Sequence, residues 1–373
     1  MPDTGGRGRA KDTDHIAVIV RINMEKKMKV AHVVRVTPRK CGLYETTREL
    51  VVALRALGVD SKMVPFCGSK KDDYCEPEDR GAPITAENYL NEADVIVNHS
   101  GLNNEQAALG KPIIHVIHGR PRSSFLLEQK GEIKIYSFYR TAGGDPRYKA
   151  FVTFWQEHMP FWEVMLPKGK LHSVPAPVDL DAWTPDGPTG YGFHGHKGSI
   201  NVVCADVWRA DVDPFFIIHG FVEFAKTHPG AKLHLYGGYR EKAWDALLKK
   251  VEHTGVLGQS GGWVQGLEHV YHAADMVITA HHIATRTIRE ALACGCPVVA
   301  DTRCPYTEFT ADAENPVAFA KEMGVAWRAI EYAGKSAVRT KSRLVAERCF
   351  NPAATGAAFA QILERVVSDG RSS

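Results

Sequence analysis

The sequence predicts an α/β protein of two doubly wound domains that face each other across a cleft. Short apolar runs such as residues 113–117 alternate with segments of helical periodicity. Continuous apolar runs of this kind suit parallel strands that helices cover on both faces. A proline-containing segment, residues 174–185, separates two such series and indicates a connection between domains. The length of 373 residues agrees with two or three domains.

The composition excludes several classes of protein. The chain has 46 Lys and Arg against 43 Asp and Glu, a balance of +3 that gives no support to binding of nucleic acid through its phosphates. No apolar stretch is long enough for a membrane span. The 8 cysteines are scattered, so we expect reduced thiols in a cytoplasmic protein.

The pattern divides the chain into four parts. Residues 1–27 are a leader or extension, which we expect to be flexible and without function. Residues 28–178 form a first α/β domain and residues 179–349 a second one. Residues 350–373 contain a closing helix.

Polar residues follow two predicted strands of the first domain. His99 comes after the strand at 94–97, and His118 and Arg120 come after the strand at 113–117. Ligands of such sheets lie beyond the carboxyl ends of the strands, so these side chains are candidates for a site. As an alternative, His118 satisfies backbone groups at the end of its strand.

The second domain continues the alternation of strands and helices. Apolar runs predict its strands at 200–204, 232–236, 276–279 and 298–300. Helical periodicity and end signals predict helices that begin at Asp213-Pro214 and span 240–252, 287–294 and 352–367.

The most informative segment is residues 281–301, a loop that leads into a helix, a glycine stop and a buried strand. Thr287 and Glu290 are spaced as in a capping box. Arg286 and Arg289 fall in the first turn, where the helix dipole disfavours cations by a few tenths of a kcal/mol. A diphosphate bound at the same helix end would account for them. Two solvated arginines beside a structural cap are the alternative.

This segment resembles the hallmark of the retaining group-1 (family 4-like) GT-B glycosyltransferases, E-G-F-G-x-x-x-x-E-A-M-A-C-G-x-P-V-V-A. The match covers residues 290–295 and 297–300. Residues 174–185 and 273–278 also resemble motifs of that family, and 350–367 resembles its C-terminal helix, which crosses back to the first domain. The resemblance implies the GT-B fold of two Rossmann-like domains, the first binding the acceptor and the second the nucleotide sugar.

The resemblance also implies roles for individual residues. Glu290 matches the glutamate that holds the ribose hydroxyls, and His282 stands where the family has a glutamate that contacts the donor sugar. The backbone and hydroxyls of Thr285 and Thr287 then meet sugar or phosphate. In the first domain, Gly42 alone remains of a glycine-rich loop that faces the diphosphate.

The phosphate-binding pair of the family is altered. Val207 and Val212 stand where its Arg and Lys fall. Arg209, two residues from the expected Arg, would replace it after a small shift, and Arg286 or Arg289 would supply the charge of the Lys. Arg209 as a surface arginine is the alternative. The resemblance places His118 near the transferred sugar. The candidate residues are His118, Arg209 and Arg286 for the chemistry, and Gly42, His282, Thr285, Thr287 and Glu290 for donor binding.

We therefore expect a hexosyltransferase-like enzyme that uses a UDP- or GDP-linked sugar, with no other cofactor and no metal. The diphosphate would lie between the domains, at the start of the helix near residue 287. The acceptor stays open among a glycan, a lipid-linked molecule, a small molecule and a modified nucleic-acid base. The alternatives are a relative that binds a nucleotide or glycan without catalysis, and a viral-type DNA glycosyltransferase.

Overall fold

The computed structural model describes residues 27–371 apart from 35–41, 66–77, 86, 101, 103, 130, 132–134, 189–192, 194–198, 209–212, 238–242 and 263. Almost all of the predicted leader therefore lies outside the described residues. The described cysteines are free thiols. None of the described helices combines the length and the apolar character that a bilayer span requires.

The described strands form two parallel sheets and one small hairpin. The sheet orders are β2-β1-β5-β6-β7-β8 and β11-β10-β9-β12-β13-β14, with β3 and β4 as the antiparallel hairpin. The strands are β1 (Lys29–Val34), β2 (Asp60–Pro65), β3 (Glu78–Asp79), β4 (Ala82–Pro83), β5 (Val95–Asn98), β6 (Ile113–Ile117), β7 (Tyr148–Thr153), β8 (Leu171–Ser173), β9 (Asn201–Cys204), β10 (Lys232–Leu235), β11 (Leu257–Ser260), β12 (Met276–Ile278), β13 (Val298–Asp301) and β14 (Phe309–Ala311).

Each sheet reverses its strand order once. β1 lies between β2 and β5 in the first sheet, and β9 lies between β10 and β12 in the second. Successive crossovers leave such a point in opposite directions, so a crevice opens there beyond the carboxyl ends of the strands. The fold thus provides one such crevice in each domain.

Helices lie between most of the strands. They are α1 (Gly42–Ala56), α2 (Tyr89–Glu92), α3 (Asn104–Ala108), α4 (Pro121–Gln129), α5 (Ile135–Ala142), α6 (Met159–Met165), α7 (Phe215–Thr227), α8 (Ala243–Glu252), α9 (Leu267–Ala273), α10 (Arg286–Ala293), α11 (Pro316–Ala333), α12 (Lys335–Cys349) and α13 (Pro352–Arg371). The two doubly wound domains predicted from the sequence are confirmed.

The closing helix connects the two domains. The buried side chains of α13, Phe359 and Leu363 among them, belong to one continuous apolar cluster with Val97 of the first sheet and Val203 of the second. α13 packs directly on α1. A Cβ atom built at Gly356 would lie 3.0 Å from the Cβ of Ala53 and 3.1 Å from its carbonyl oxygen, so the two helices approach through this glycine.

The close approach at Gly356 predicts a reversal of the usual ranking of helix formers. Alanine in place of a helix-interior glycine normally stabilises by about 1 kcal/mol. Gly356→Ala should instead lower the free energy of unfolding by about 1–3 kcal/mol, because backbone atoms of α1 must move away. The matched control is Gly324→Ala in α11, where the nearest contact is the flexible tip of Arg328 at 3.5 Å. Urea titration of both variants checks this, and equal effects would contradict it.

Candidate active site

The position of α10 is fixed at its C-terminal end. Gly295 follows the helix with φ +75°, and a Cβ there would lie 3.0 Å from the carbonyl oxygen of Arg339. Arg339 Nη2 donates to the carbonyl of Cys294 at 2.7 Å, and Arg343 Nη1 donates to the carbonyl of Ala293 at 2.8 Å. These cations satisfy the last carbonyls of the helix and complement its dipole. The first turn is thereby held between the two domains.

The predicted capping box at this helix is wrong. The helix starts at Arg286 and its N-cap residue is Thr285, so Thr287 is already the second helical residue. The Thr287 hydroxyl donates to the carbonyl of Ala205 at 3.2 Å. Glu290 accepts from Arg286 one turn earlier, and therefore does not reach back to the N-cap.

Arg286 and Glu290 belong to a buried ion-pair cluster that joins α10 to α1. Arg286 Nε lies 2.5 Å from Glu290 Oε1, and its Nη1 lies 3.2 and 3.1 Å from the two oxygens of Glu49. Arg289 donates to Thr46 Oγ1 at 3.3 Å and to the carbonyl of Pro177. The two predicted first-turn arginines are thus partly buried or buried and paired, and are not solvated.

Burial and the neighbouring charges together set the pKa values of this cluster. Burial and the neighbouring Glu49 raise the pKa of Glu290 to about 7. Burial lowers the pKa of Arg286, but Glu290 and Glu49 outweigh it and the net shift is upward. Burial and Arg286 lower the pKa of Arg289 to about 10. The carboxylate of Glu290 therefore changes its charge near neutral pH in the absence of further donors.

Gly42 brings the first turn of α1 against the first turn of α10. It is the first residue of α1, and a Cβ there would lie 3.3 Å from Cδ of Arg286. A larger residue would compete with the arginine for this space. The N-termini of two helices therefore meet at the gap between the sheets, where their free N–H groups favour an anion.

The carboxyl ends of β9 and β12 carry a buried carboxylate. Asp206 Oδ2 accepts from the Thr279 hydroxyl at 2.6 Å, and its Oδ1 lies 3.5 Å from His281 Nε2. Burial raises the pKa of Asp206 to about 6, although the hydrogen bond from Thr279 lowers it. Among the described residues no donor bonds Oδ1. A costly buried carboxylate with a spare acceptor is typical of functional sites.

A small cavity of about 10 Å³, roughly the room of one water molecule, opens beside this carboxylate. It lies beyond the ends of β9, β10 and β11 and is lined by Asp206, Trp208, Leu235, Tyr236, Gly237 and Gly261. A Cβ at Gly237 would lie 2.4 Å from the carbonyl oxygen of Asp206, and its φ is +150°. Only glycine allows this backbone approach, which shapes the wall of the cavity.

The other predicted donor residues lie close by or outside the described residues. The buried hydroxyl oxygen of Thr285 has no hydrogen-bond partner among the described residues. The ring of His282 is half-buried, with its centroid 6.1 Å from that of His158. Burial, followed by the charge of Arg303, lowers the pKa of His282. Arg209 lies outside the described residues.

His118 lies on the first-domain side of the gap. It follows β6 as predicted, is half-buried, and its Nε2 is 2.7 Å from Nδ1 of His99. Burial, then His115 and Arg289, lowers the pKa of His118 to about 3. Its ring therefore pairs with another side chain, and the alternative of bonding to strand-end backbone does not hold for Nε2. The ring lies just beyond the carboxyl end of β6, the edge of the sheet at which ligands of such folds bind.

Three residues of the site were missed or not singled out from the sequence. No sequence motif identified Glu49 as a site residue, because Arg286, with which it pairs, lies in a distant part of the chain. Asp206 follows a buried strand, the same signal that identified His118. Arg120 was named as a candidate at the end of β6 but was given no role, and its charge lowers the pKa of both Asp206 and His282, after the larger effects of burial and of nearer groups. It therefore places positive charge near groups of the opposite domain.

The ion-pair cluster predicts a large cost for removal of Glu49. Glu49→Ala removes the carboxylate that Arg286 and Arg289 share, and leaves two buried arginines with Glu290 as their remaining acidic partner in the cluster. We therefore expect a loss of about 3–5 kcal/mol in the free energy of unfolding. The exposed pair Glu223–Lys226 is the control, and Glu223→Ala should cost less than about 0.5 kcal/mol. Similar losses for both variants, measured by urea titration, would contradict the cluster's role.

Asp206 predicts a pH dependence of stability. Because the folded pKa near 6 exceeds the unfolded value of about 3.9, the folded protein holds this proton more tightly. Its contribution to stability is full below pH 3.9 and is lost as pH rises through about 6. Asp206→Asn should therefore gain up to about 3 kcal/mol relative to the parent between pH 4 and pH 8. Parallel stability curves for the two proteins over that range would contradict the shift.

Comparison with known proteins gives similarity of structure alone. No family model matches the chain, and no curated protein matches it. A glycosyltransferase from Rickettsia africae has a TM-score of 0.69 at 13% identity and covers 91% of this chain and 99% of its own. HepE from Anabaena, in complex with UDP and glucose, has a TM-score of 0.65 at 13% identity, with 90% and 99% covered.

A protein that is named as a different enzyme also has a similar structure. The N-terminal domain of trehalose-6-phosphate phosphatase from Candida albicans has a TM-score of 0.64 at 12% identity and covers 91% of this chain and 97% of its own. Together with the two parallel sheets, these similarities establish that the chain has the GT-B fold, two Rossmann-like domains of the kind found in glycosyltransferases.

Proposed function

We propose that this protein is a retaining glycosyltransferase that moves a sugar from a nucleoside diphosphate to an acceptor hydroxyl. The observation that carries the proposal is the meeting of α1 and α10, first turn against first turn, with Arg286 packed on Gly42. Two sets of free backbone N–H groups and a guanidinium suit the diphosphate that leaves when the anomeric bond breaks.

Glu290 holds the ribose of the donor in this proposal. Its two carboxylate oxygens suit the two neighbouring hydroxyls of a ribose. Glu290 is bonded to Arg286 at present, so donor binding exchanges this contact for the ribose hydroxyls. Arg286 then turns from Glu290 toward the phosphates, and the exchange keeps the buried carboxylate and the buried cation each paired.

In this proposal the base of the nucleotide lies against Trp208 and Tyr236, and the walls of the small cavity beside Asp206 move apart to admit it. Both rings line this cavity and offer aromatic surface on which a base can stack. HepE has been crystallised with UDP and with UDP-glucose, which makes UDP the first nucleotide to test.

The remaining candidate residues surround the sugar. His118 from the first domain and His282 from the second serve as hydrogen-bond partners of its hydroxyls. Arg120 and Arg286 stabilise the charge that develops on the leaving phosphate, which is electrostatic preorganisation rather than nucleophilic catalysis. In a front-face mechanism the departing phosphate takes the proton of the acceptor hydroxyl, and the configuration of the anomeric carbon is retained.

A second candidate is a protein that binds a nucleotide or glycan without transfer. The observation in its favour is the engagement of Arg286 by two carboxylates, together with an aspartate, Asp206, close to where an arginine would contact phosphate. Donor turnover separates the two candidates, because a binder gives a melting shift with UDP but releases no UDP from any donor.

The test is an assay of UDP and GDP release from a panel of nucleotide sugars, with and without simple glycan acceptors. The proposal expects release from at least one donor and a product whose anomeric configuration, read by NMR, equals that of the donor. An inverted product would contradict the retaining mechanism. Binding without turnover across the panel would favour the second candidate.

Glu290→Gln should weaken UDP binding about tenfold or more at pH 8, because an amide offers one acceptor where the carboxylate offers two charged ones. In the parent, affinity should fall as pH drops below about 7, where Glu290 takes up a proton. Calorimetry measures both effects. Glu223→Gln on the exposed face of α7 is the control, and unchanged UDP affinity for Glu290→Gln would remove Glu290 from the site.

A further inference from the structure

Three histidines of the first domain form a hydrogen-bonded line that leads from the core to the gap between the domains. His32 lies in β1, His99 follows β5 and His118 follows β6, so the line crosses the point where the sheet reverses its strand order. His32 Nδ1 lies 3.0 Å from His99 Nε2, and His99 Nδ1 lies 2.7 Å from His118 Nε2.

The rings are also held by packing. The centroids of His32 and His99 are 5.3 Å apart in a stacked arrangement, and those of His99 and His118 are 5.0 Å apart. His32 is fully buried and packs near Phe359 of α13, while His118 contacts Phe154. The backbone N–H of His99 donates to the carbonyl of Val33 at 3.0 Å. The geometry of the line is therefore fixed on both sides.

The three rings are neutral. Burial lowers the pKa of His32 to about 3, and burial together with His118 and His32 lowers that of His99 well below its usual value. A neutral imidazole carries one N–H and one lone pair, so each ring donates at one nitrogen and accepts at the other. Once the direction of one hydrogen bond is set, the direction of the other follows.

The inner end of the line decides that direction. In the described residues, Nε2 of His32 has no hydrogen-bond partner. If the bonds ran inward from His118, Nε2 of His32 would carry an orphaned N–H in the core, and orphaned buried donors are rarer than under-used acceptors. If they run outward, Nε2 keeps only a lone pair. The outward direction puts the proton on Nδ1 of all three rings.

We propose that His32 and His99 are positioning residues that hold His118 in the Nδ1–H tautomer, so that it presents a hydrogen-bond donor to a ligand hydroxyl or phosphate oxygen in the gap. His99 occupies Nε2 of His118, and Nδ1 is the ring nitrogen left for a ligand. Linked hydrogen bonds polarise one another, so the outer N–H is a better donor than that of an isolated histidine.

The line is not a route for protons. His32 ends in the apolar core beside Phe359, and no described side chain continues the line from its Nε2. A proton taken up at His118 would have no exit through His32. The contribution of the inner pair is therefore orientation of His118 and selection of its tautomer.

This inference deepens the proposed function and rests on it only for what His118 touches. The tautomer itself can be measured without a substrate. Protein labelled with ¹⁵N at histidine alone gives long-range proton–nitrogen spectra that distinguish protonated from bare ring nitrogens. His32→Phe, His99→Leu and His118→Gln each remove one ring's signals and so assign them, and His115, a buried histidine outside the line, is the internal control.

We expect Nδ1–H tautomers for His32, His99 and His118 in the parent. Nε2–H at His118, or a mixture of the two forms, would overturn the inference whatever the activity. In His99→Leu, which removes the hydrogen-bond partner of Nε2 of His118, His118 should lose its single tautomer while the signals of His115 stay unchanged. An unchanged His118 in that variant would also overturn it.

Kinetics test the role of the line by a matched pair at residue 99. His99→Gln keeps one acceptor and one donor, whereas His99→Leu removes both. With a donor that the parent turns over, His99→Leu should lower kcat about tenfold with little change in the donor KM, and His99→Gln should restore most of it. Equal activity of the two variants, with both folded by circular dichroism, would overturn the positioning role.

The outcomes separate the inference from the proposed function. If His118→Gln loses activity but the two residue-99 variants do not differ, the contact between His118 and the sugar is supported and the positioning role of His99 is refuted. An inactive parent that nevertheless shows the three Nδ1–H tautomers overturns transfer and keeps the line as a device that orients His118 toward a bound ligand.

Discussion

The contact between the first turns of α1 and α10 is the constraint on which the rest of the site depends. Arg286 bridges Glu49 of the first domain and Glu290 of the second. Its side chain packs against Gly42, where a larger residue would crowd it. A buried cation of this kind must stay paired, because an unpaired buried charge costs several kcal/mol. The cluster therefore fixes both helix N-termini at the gap and makes the pairing of Arg286 sensitive to any anion that enters.

The two sheets place different kinds of chemical group at the gap between the domains. The second sheet contributes the cavity, a costly carboxylate at Asp206 and the first turn of α10, all beyond its strand ends. The first sheet contributes neutral histidines at the equivalent positions, with Arg120 as a cation close to the opposite domain. A neutral hydrogen-bonding surface facing an electropositive helix end suits a ligand with an uncharged sugar and a charged leaving group.

The sequence was sufficient for the fold and for part of the site. Parallel strands buried on both faces leave a continuous apolar run, so β6, β9, β10, β12 and β13 were predicted within a residue or two of their ends, whereas the edge strands β11 and β14 were not predicted. The helix before Gly295 was predicted from its end signal, because a glycine with positive φ commonly follows the last residue of a helix. Its capping box was wrong because local spacing cannot reveal that Ala205 competes for the hydroxyl of Thr287.

Long-range partners account for what the sequence could not give. Glu49 and Arg286 are far apart in the chain, so no local motif contains both. His32 lies inside the mostly apolar run of β1, so the pattern of that run predicts a strand but no site residue. The packing of one domain on the other brings Glu49 to Arg286, and the pairing of β1 with β5 inside the first sheet brings His32 to His99.

A crystal structure of the protein with UDP tests the central claim most directly. The account predicts the β-phosphate within hydrogen-bond distance of the backbone N–H groups at the start of α10, the ribose on Glu290, and Arg286 turned away from that carboxylate. UDP bound elsewhere, with the bonds of Arg286 to Glu49 and Glu290 unchanged, would contradict it.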